Sequence, residues 1–254
     1  MQDINDKLIV ALDVYTLKKA RDLVDKLFPT IKKFKIGSQL FTACGPEAIE
    51  MVGKKGAQVF LDLKFHDIPR TVYSAVASGT SSSIVITPIS SGFDNTKIED
   101  QVKEFVPFPV FMMTLHILGG LEMLKSAVKG ASDKAVALGR KKPYLVGVTV
   151  LTSEAPDNIT SEKVLERAYL AKEAGLDGVV CAVSEAAMIR EKLGEKFLIV
   201  TPGIRPKGNK EDDQKRTATA KAAIQAGSDF LVVGRPILQA KDPLLAAKEI
   251  LQYV

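Results

Sequence analysis

Phe60-Leu61-Asp62-Leu63-Lys64-Phe65-His66-Asp67-Ile68-Pro69 begins as an apolar run suited to a buried strand, then sets three charges within six residues and stops at a proline. Strand side chains alternate faces, so Asp62 and Lys64 share one side while Leu61, Leu63 and Phe65 take the other. Opposite charges leaving one face of a buried strand either form a structural ion pair or tune a proton transfer, and the two residues alone leave both readings open. Asp67 lies just past the strand, in the turn that Pro69 enforces, where side chains serve function more often than packing.

Outward from this strand, short apolar runs alternate with amphipathic stretches. Strands are expected at residues 7–14, 34–37, 57–64, 110–116, 144–150, 178–183, 197–201 and 230–233. Helices are expected at 17–28, 46–55, 121–129, 161–174 and 243–251, with an irregular region before the fourth strand. Eight strands alternating with helices predict an α/β protein with a parallel sheet, closed into a (β/α)8 TIM barrel rather than left open. No linker-like stretch divides the chain, so residues 1–254 read as a single barrel domain.

A chain of 254 residues, 46% hydrophobic, is long enough for one large core of this kind. Its net charge of +5 comes from Lys and Arg spread along the chain, without a basic block interleaved with aromatics. That argues against nucleic-acid binding and for an anionic small substrate. Cys44 and Cys181 have neither metal-ligand spacing nor a disulfide framework, so a reducing cytoplasm is expected. No export signal or membrane-spanning run is read.

In such a barrel the working residues sit at the carboxyl ends of the strands. There the chain places Asp13, Lys35, Asp62 with Lys64, Thr114 with His116, Thr152 with Ser153, Arg205, and Gly234-Arg235. Gly234 lets backbone approach a ligand, Pro236 opens a short helix, and Arg235 adds a bidentate donor, so the loops after strands seven and eight read as a phosphate cradle. Each position has a plainer reading too. Asp13 suits a cap for the helix near Leu17, Thr152 a cap or turn before Pro156, the two histidines a structural role, and Cys181 packing.

Asp62-Leu-Lys64-Phe-His66-Asp67-Ile-Pro69-Arg-Thr71-Val, together with Ala-Leu-Asp13, Lys35-Ile-Gly, Leu-Thr152-Ser, Thr-Pro-Gly-Ile-Arg205, Asp-Gln214 and Val-Val-Gly234-Arg235, resembles the orotidine 5′-monophosphate decarboxylase family over nearly the whole chain. The resemblance implies loss of CO2 from C6 of the orotate ring, giving UMP, without metal or organic cofactor. It implies Lys64 as proton donor in a charge array with Lys35, Asp62 and Asp67, Asp62 crowding the substrate carboxylate. It implies Asp13 and Lys35 on the ribose, Thr152 on the pyrimidine, and Gln214, Gly234 and Arg235 on the phosphate with Arg205 nearby. It also implies a homodimer in which Asp67 and Thr71 reach the neighbour's site.

The chain departs from the family after the third strand, where an insertion near residues 79–109 adds roughly two dozen residues by loop-length priors. Arg70 stands where the family more often has a small polar residue. The segment 206–213, between Arg205 and Gln214, is the better candidate for a closing lid. Two alternatives compete: the related Mg2+-dependent sugar-phosphate decarboxylases and aldolases, which need an acidic ligand where this chain has Lys35, and a non-catalytic nucleotide-binding barrel.

Overall fold

Eight parallel strands pair in chain order and close on themselves: β1 (Leu8–Ala11), β2 (Lys33–Gly37), β3 (Gln58–Phe65), β4 (Val110–His116), β5 (Tyr144–Val148), β6 (Gly178–Val180), β7 (Leu198–Thr201) and β8 (Phe230–Val233), with β8 returning to β1. The computed structural model describes residues 6–81, 109–151, 160–205 and 217–254. Around the strands run α1 (Leu17–Leu27), α2 (Ser38–Cys44), α3 (Glu47–Gly53), α4 (Pro69–Ser81), α5 (Gly120–Ala137), α6 (Ser161–Glu173), α7 (Val183–Leu193), α8 (Ala220–Gln225), α9 (Arg235–Leu238) and α10 (Pro243–Leu251). The chain is therefore a (β/α)8 barrel.

The apolar runs form strands buried on both faces, as parallel sheets require. Ile9, Ala11, Phe60, Met112, Val146, Val200, Phe230 and Val232 fill the barrel interior. Their alternates, among them Leu8, Val10, Phe34, Ile36, Val59, Leu61, Leu231 and Val233, pack beneath the helices. Helix starts follow short polar side chains: Thr16 accepts from Lys19 N–H at 3.3 Å, Thr160 from Lys163 N–H at 3.2 Å, and Asp242 from two amides before Pro243 completes the first turn of α10. Thr16 caps α1, so Asp13 is left to other work.

The amino ends of the strands are tied by a repeated device. Asp177, just before β6, accepts from Leu145 N–H at 2.8 Å and from the Lys142 ammonium. Asp229, just before β8, accepts from Ile199 N–H and from Arg190 Nη2, both at 2.7 Å. Arg190 also donates to the carbonyls of Gly194, Phe197 and Gly227, so one α7 side chain clasps the entries to β7 and β8. Inside this end, Lys33 pairs with Asp6 at 3.0 Å and lies 5.7 Å from the Phe111 ring centre.

The expectation of an irregular region between the third and fourth strands is corrected in its first part: Pro69 opens the 13-residue helix α4, with Thr71 in its first turn. Pro fits the first helical turn because the N–H it lacks has no intrahelical partner there. The rest of the expected insertion, residues 82–108, lies outside the described residues. Helices α2, α7 and α8 also form where the sequence reading placed none.

Candidate active site

The site begins with a flaw in a strand. Along β3 and β4 the register runs Leu61↔Met113 and then Phe65↔Leu115, so β3 advances four residues while β4 advances two. The surplus is taken up at Asp62-Leu63-Lys64, where Lys64 adopts φ +51°. A left-handed non-glycine residue costs roughly 1–2 kcal/mol, and side-chain bonds offset it. The Lys64 N–H donates to Thr114 Oγ1 at 2.8 Å, and the Thr114 hydroxyl donates to Asp62 Oδ1 at 3.0 Å. The alternation survives the bulge, since Leu63 and Phe65 pack toward the helix layer while Asp62 and Lys64 line the cleft.

Strands β2 and β3 and the loop after β1 bring four charges together. Lys64 Nζ lies 2.8 Å from Asp62 Oδ1, Lys35 Nζ 3.4 Å from Asp62 Oδ2, and Lys35 Nζ 3.0 Å from Asp13 Oδ1. Signs alternate along Asp13, Lys35, Asp62 and Lys64. Lys35 and Asp62 are nearly enclosed, at 11% and 13% side-chain exposure, whereas Lys64 opens to the cleft at 36%. Burial alone would push the Asp62 carboxyl up; Lys35, Lys64 and the Thr114 hydroxyl outweigh it and hold it below its ordinary range. Burial would likewise pull the Lys35 ammonium down, but Asp62 and Asp13 leave it above its ordinary value. Gly37 makes room for this: a Cβ there would stand 2.9 Å from Lys35 Nζ.

These residues floor a cleft of about 550 Å³ at the carboxyl end of the barrel, of the size that suits a small-molecule ligand. Arg205, Gly234 and Arg235 line it as well, so the structure brings together Asp13, Lys35, Asp62, Lys64, Arg205, Gly234 and Arg235. Gly203, at φ +78°, turns the chain out of β7 toward Arg205, and Arg235 opens α9 directly after β8. Asp67 and Thr71 stand apart, exposed on the rim, with Asp67 accepting from Ile68 N–H at 2.6 Å. Thr152, Gln214 and the segment 206–213 lie outside the described residues.

Sequence reasoning did not single out Tyr15, Gln39 or Gln239, which also line the cleft; Cys181, read as packing, is buried in the core and also borders the cleft. It left His66 and His116 without partners; they stack on each other, ring centres 5.3 Å apart, and His116 Nδ1 accepts from Leu118 N–H at 3.4 Å. Among the described residues, no group of three or more His, Cys, Asp or Glu side chains is arranged to hold a metal ion. Between Asp13 and Asp62, where a cation would sit, the Lys35 ammonium sits instead.

The family model described as "Orotidine 5'-phosphate decarboxylase / HUMPS family" matches residues 6–98 and 94–250. The chain is 41% identical to the orotidine 5′-phosphate decarboxylase of Moorella thermoacetica, across 96% of this chain and 90% of that one. It is 40% identical to the same-named protein of Coxiella burnetii, across 98% and 97%. The crystal structure of orotidine 5′-phosphate decarboxylase from Lactobacillus acidophilus superposes with a TM-score of 0.76 at 33% identity, covering 98% of both chains. At 21% identity and a TM-score of 0.71, the Pyrococcus horikoshii structure adds likeness of fold. On a match spanning nearly its full length, this chain belongs to the orotidine 5′-phosphate decarboxylase family.

Proposed function

We propose that the protein decarboxylates orotidine 5′-monophosphate to UMP and CO2, a carboxy-lyase step of de novo pyrimidine biosynthesis, with Lys64 as the proton donor. The observation that carries this reading is the Lys64 ammonium, held 2.8 Å from Asp62 at the open end of an alternating charge row. Breaking the C6–carboxylate bond leaves an electron pair on C6. A fixed ammonium stabilises that developing charge and then delivers a proton to it, after which solvent restores the lysine. Because Asp13, Lys35 and Asp62 already hold one another, little reorganisation is needed as charge moves. Asp62 crowds the substrate carboxylate, which leaves as neutral CO2.

Asp13 and Lys35 hold the ribose, and Thr152 the pyrimidine. Gly234 and Arg235 clamp the phosphate with Gln214, and Arg205 stands near it. The active form is a homodimer in the cytoplasm, and Asp67 and Thr71, exposed on one chain, complete the neighbour's site. Among the described residues, no helix is long and apolar enough to cross a membrane. Residues 1–254 act as one decarboxylase domain, carrying an insertion between β3 and β4. No metal or organic cofactor takes part.

The test is to incubate purified protein with orotidine 5′-monophosphate and EDTA and follow the pyrimidine absorbance. Loss of substrate with UMP formed supports the proposal. Turnover only on adding Mg2+, or tight binding without turnover, contradicts it.

A further inference from the structure

We infer that Thr114, on β4, is a positioning residue for the decarboxylation: its single hydroxyl sets both the backbone of Lys64 and the carboxylate of Asp62. The inference rests on the roles given to Lys64 and Asp62 above. Thr114 is fully buried, and its Oγ1 accepts the Lys64 N–H while donating to Asp62 Oδ1. That carboxylate oxygen is also the one that receives the Lys64 ammonium. The hydroxyl thus closes a ring through the backbone and the side-chain end of the same lysine. Its place in the ladder explains why a side chain is needed. The bulge takes Lys64 out of pairing register with β4, and a residue at φ +51° needs its surroundings to hold it. Without the hydroxyl, the amide loses this acceptor, Asp62 loses one of its donors, and the ammonium loses the reference that fixes its height above the cleft floor. A displacement of this kind acts on the chemical step, because reaction depends steeply on the placement of the reacting groups.

Thr114→Ser and Thr114→Ala lack the same methyl group and differ by the hydroxyl alone; Thr114→Val keeps the shape and removes the hydroxyl. The expected kcat is within about twofold of wild type for Ser and down about 100-fold for Ala and Val. KM and the Kd for UMP should stay within about threefold in all three, since phosphate and ribose contacts lie elsewhere. Equal kcat for Ser and Ala overturns the inference. So does a set in which Ala and Val fail to fold while Ser folds, because the hydroxyl then serves stability alone. Lys64→Ala measured alongside separates the two claims. Near-normal turnover there removes the role given to Lys64, whereas an inactive Lys64→Ala beside a fully active Thr114→Ala removes only the role of Thr114.

Discussion

Strand β2 turns two lysines into the barrel, one at each end, and the chain treats them differently. At the amino end Lys33 meets a single carboxylate, Asp6, and rests near Phe111. Around it Arg190, Asp229 and Asp177 tie strand entries together, and every bond described there joins one part of the fold to another. At the carboxyl end Lys35 is shared between Asp13 and Asp62, Asp62 is shared again with Lys64, and Lys64 faces an open cleft. The same residue type in the same strand thus joins parts of the fold at one end and belongs to a row of alternating charges facing the cleft at the other. What separates the two is a bulge in β3 and the glycine, Gly37, that leaves room for the Lys35 ammonium.

The contrast makes substitutions sort by end. After removal of the Lys64 ammonium itself, the largest effect is expected from Asp62→Asn, which keeps the shape and removes the charge joining two ammonium groups: kcat should fall about 1,000-fold with the fold intact, as steady-state kinetics and circular dichroism would report. The same variant sharpens the pH behaviour. The folded Asp62 carboxyl titrates below its ordinary value, so its contribution is present above about pH 4 and is lost as the solution is acidified through the folded value. Lys35, raised above its ordinary value, contributes below about pH 10 and ceases to as pH climbs past its folded value. Urea midpoints of the wild type should therefore hold through neutrality and drop on both sides, and the acid-side drop should be shallower in Asp62→Asn.

Next in size is Arg190→Ala at the opposite end. Its guanidinium has four acceptors and little exposure, so its loss should destabilise the fold by about 3 kcal/mol and lower Tm by about 6–12 °C, with kcat per folded molecule unchanged. Arg235→Ala should raise KM for the nucleotide about 30-fold, roughly the worth of one charge-assisted contact. Isothermal titration should show nucleoside binding much less affected than nucleotide binding; equal weakening of both would remove the phosphate role. The smallest effect belongs to Lys33→Met. Its partner Asp6 is partly exposed and can be hydrated, so about 1 kcal/mol of stability and no activity should be lost. An activity defect in Lys33→Met would break the division between the two ends.

The barrel was legible because a parallel strand covered on both faces must be continuously apolar, and β1, with Leu8, Ile9, Val10 and Ala11 all buried, is such a run. The charges at the strand ends were legible for the converse reason: Asp62 and Lys64 have no business in a buried strand unless they meet something. Helix α4 was not legible. Its sequence, with Ser74, Ser78, Gly79, Thr80 and Ser81, carries a weak helical signal, and it forms by packing along α5, where Gly130 meets the Tyr73 backbone closely. Thr114 was visible only as a polar residue near a strand end. What gives it two partners is a register jump between strands fifty residues apart in the chain, which no local pattern encodes. The His66–His116 stack was hidden for the same reason.

The most direct measurement is turnover of orotidine 5′-monophosphate by Lys64→Ala, with UMP affinity measured on the same preparation. A loss of about 10,000-fold or more in kcat, with UMP bound within about tenfold of wild type, is the predicted result. Turnover close to wild type in a folded Lys64→Ala would contradict the proposal that this ammonium carries the chemistry.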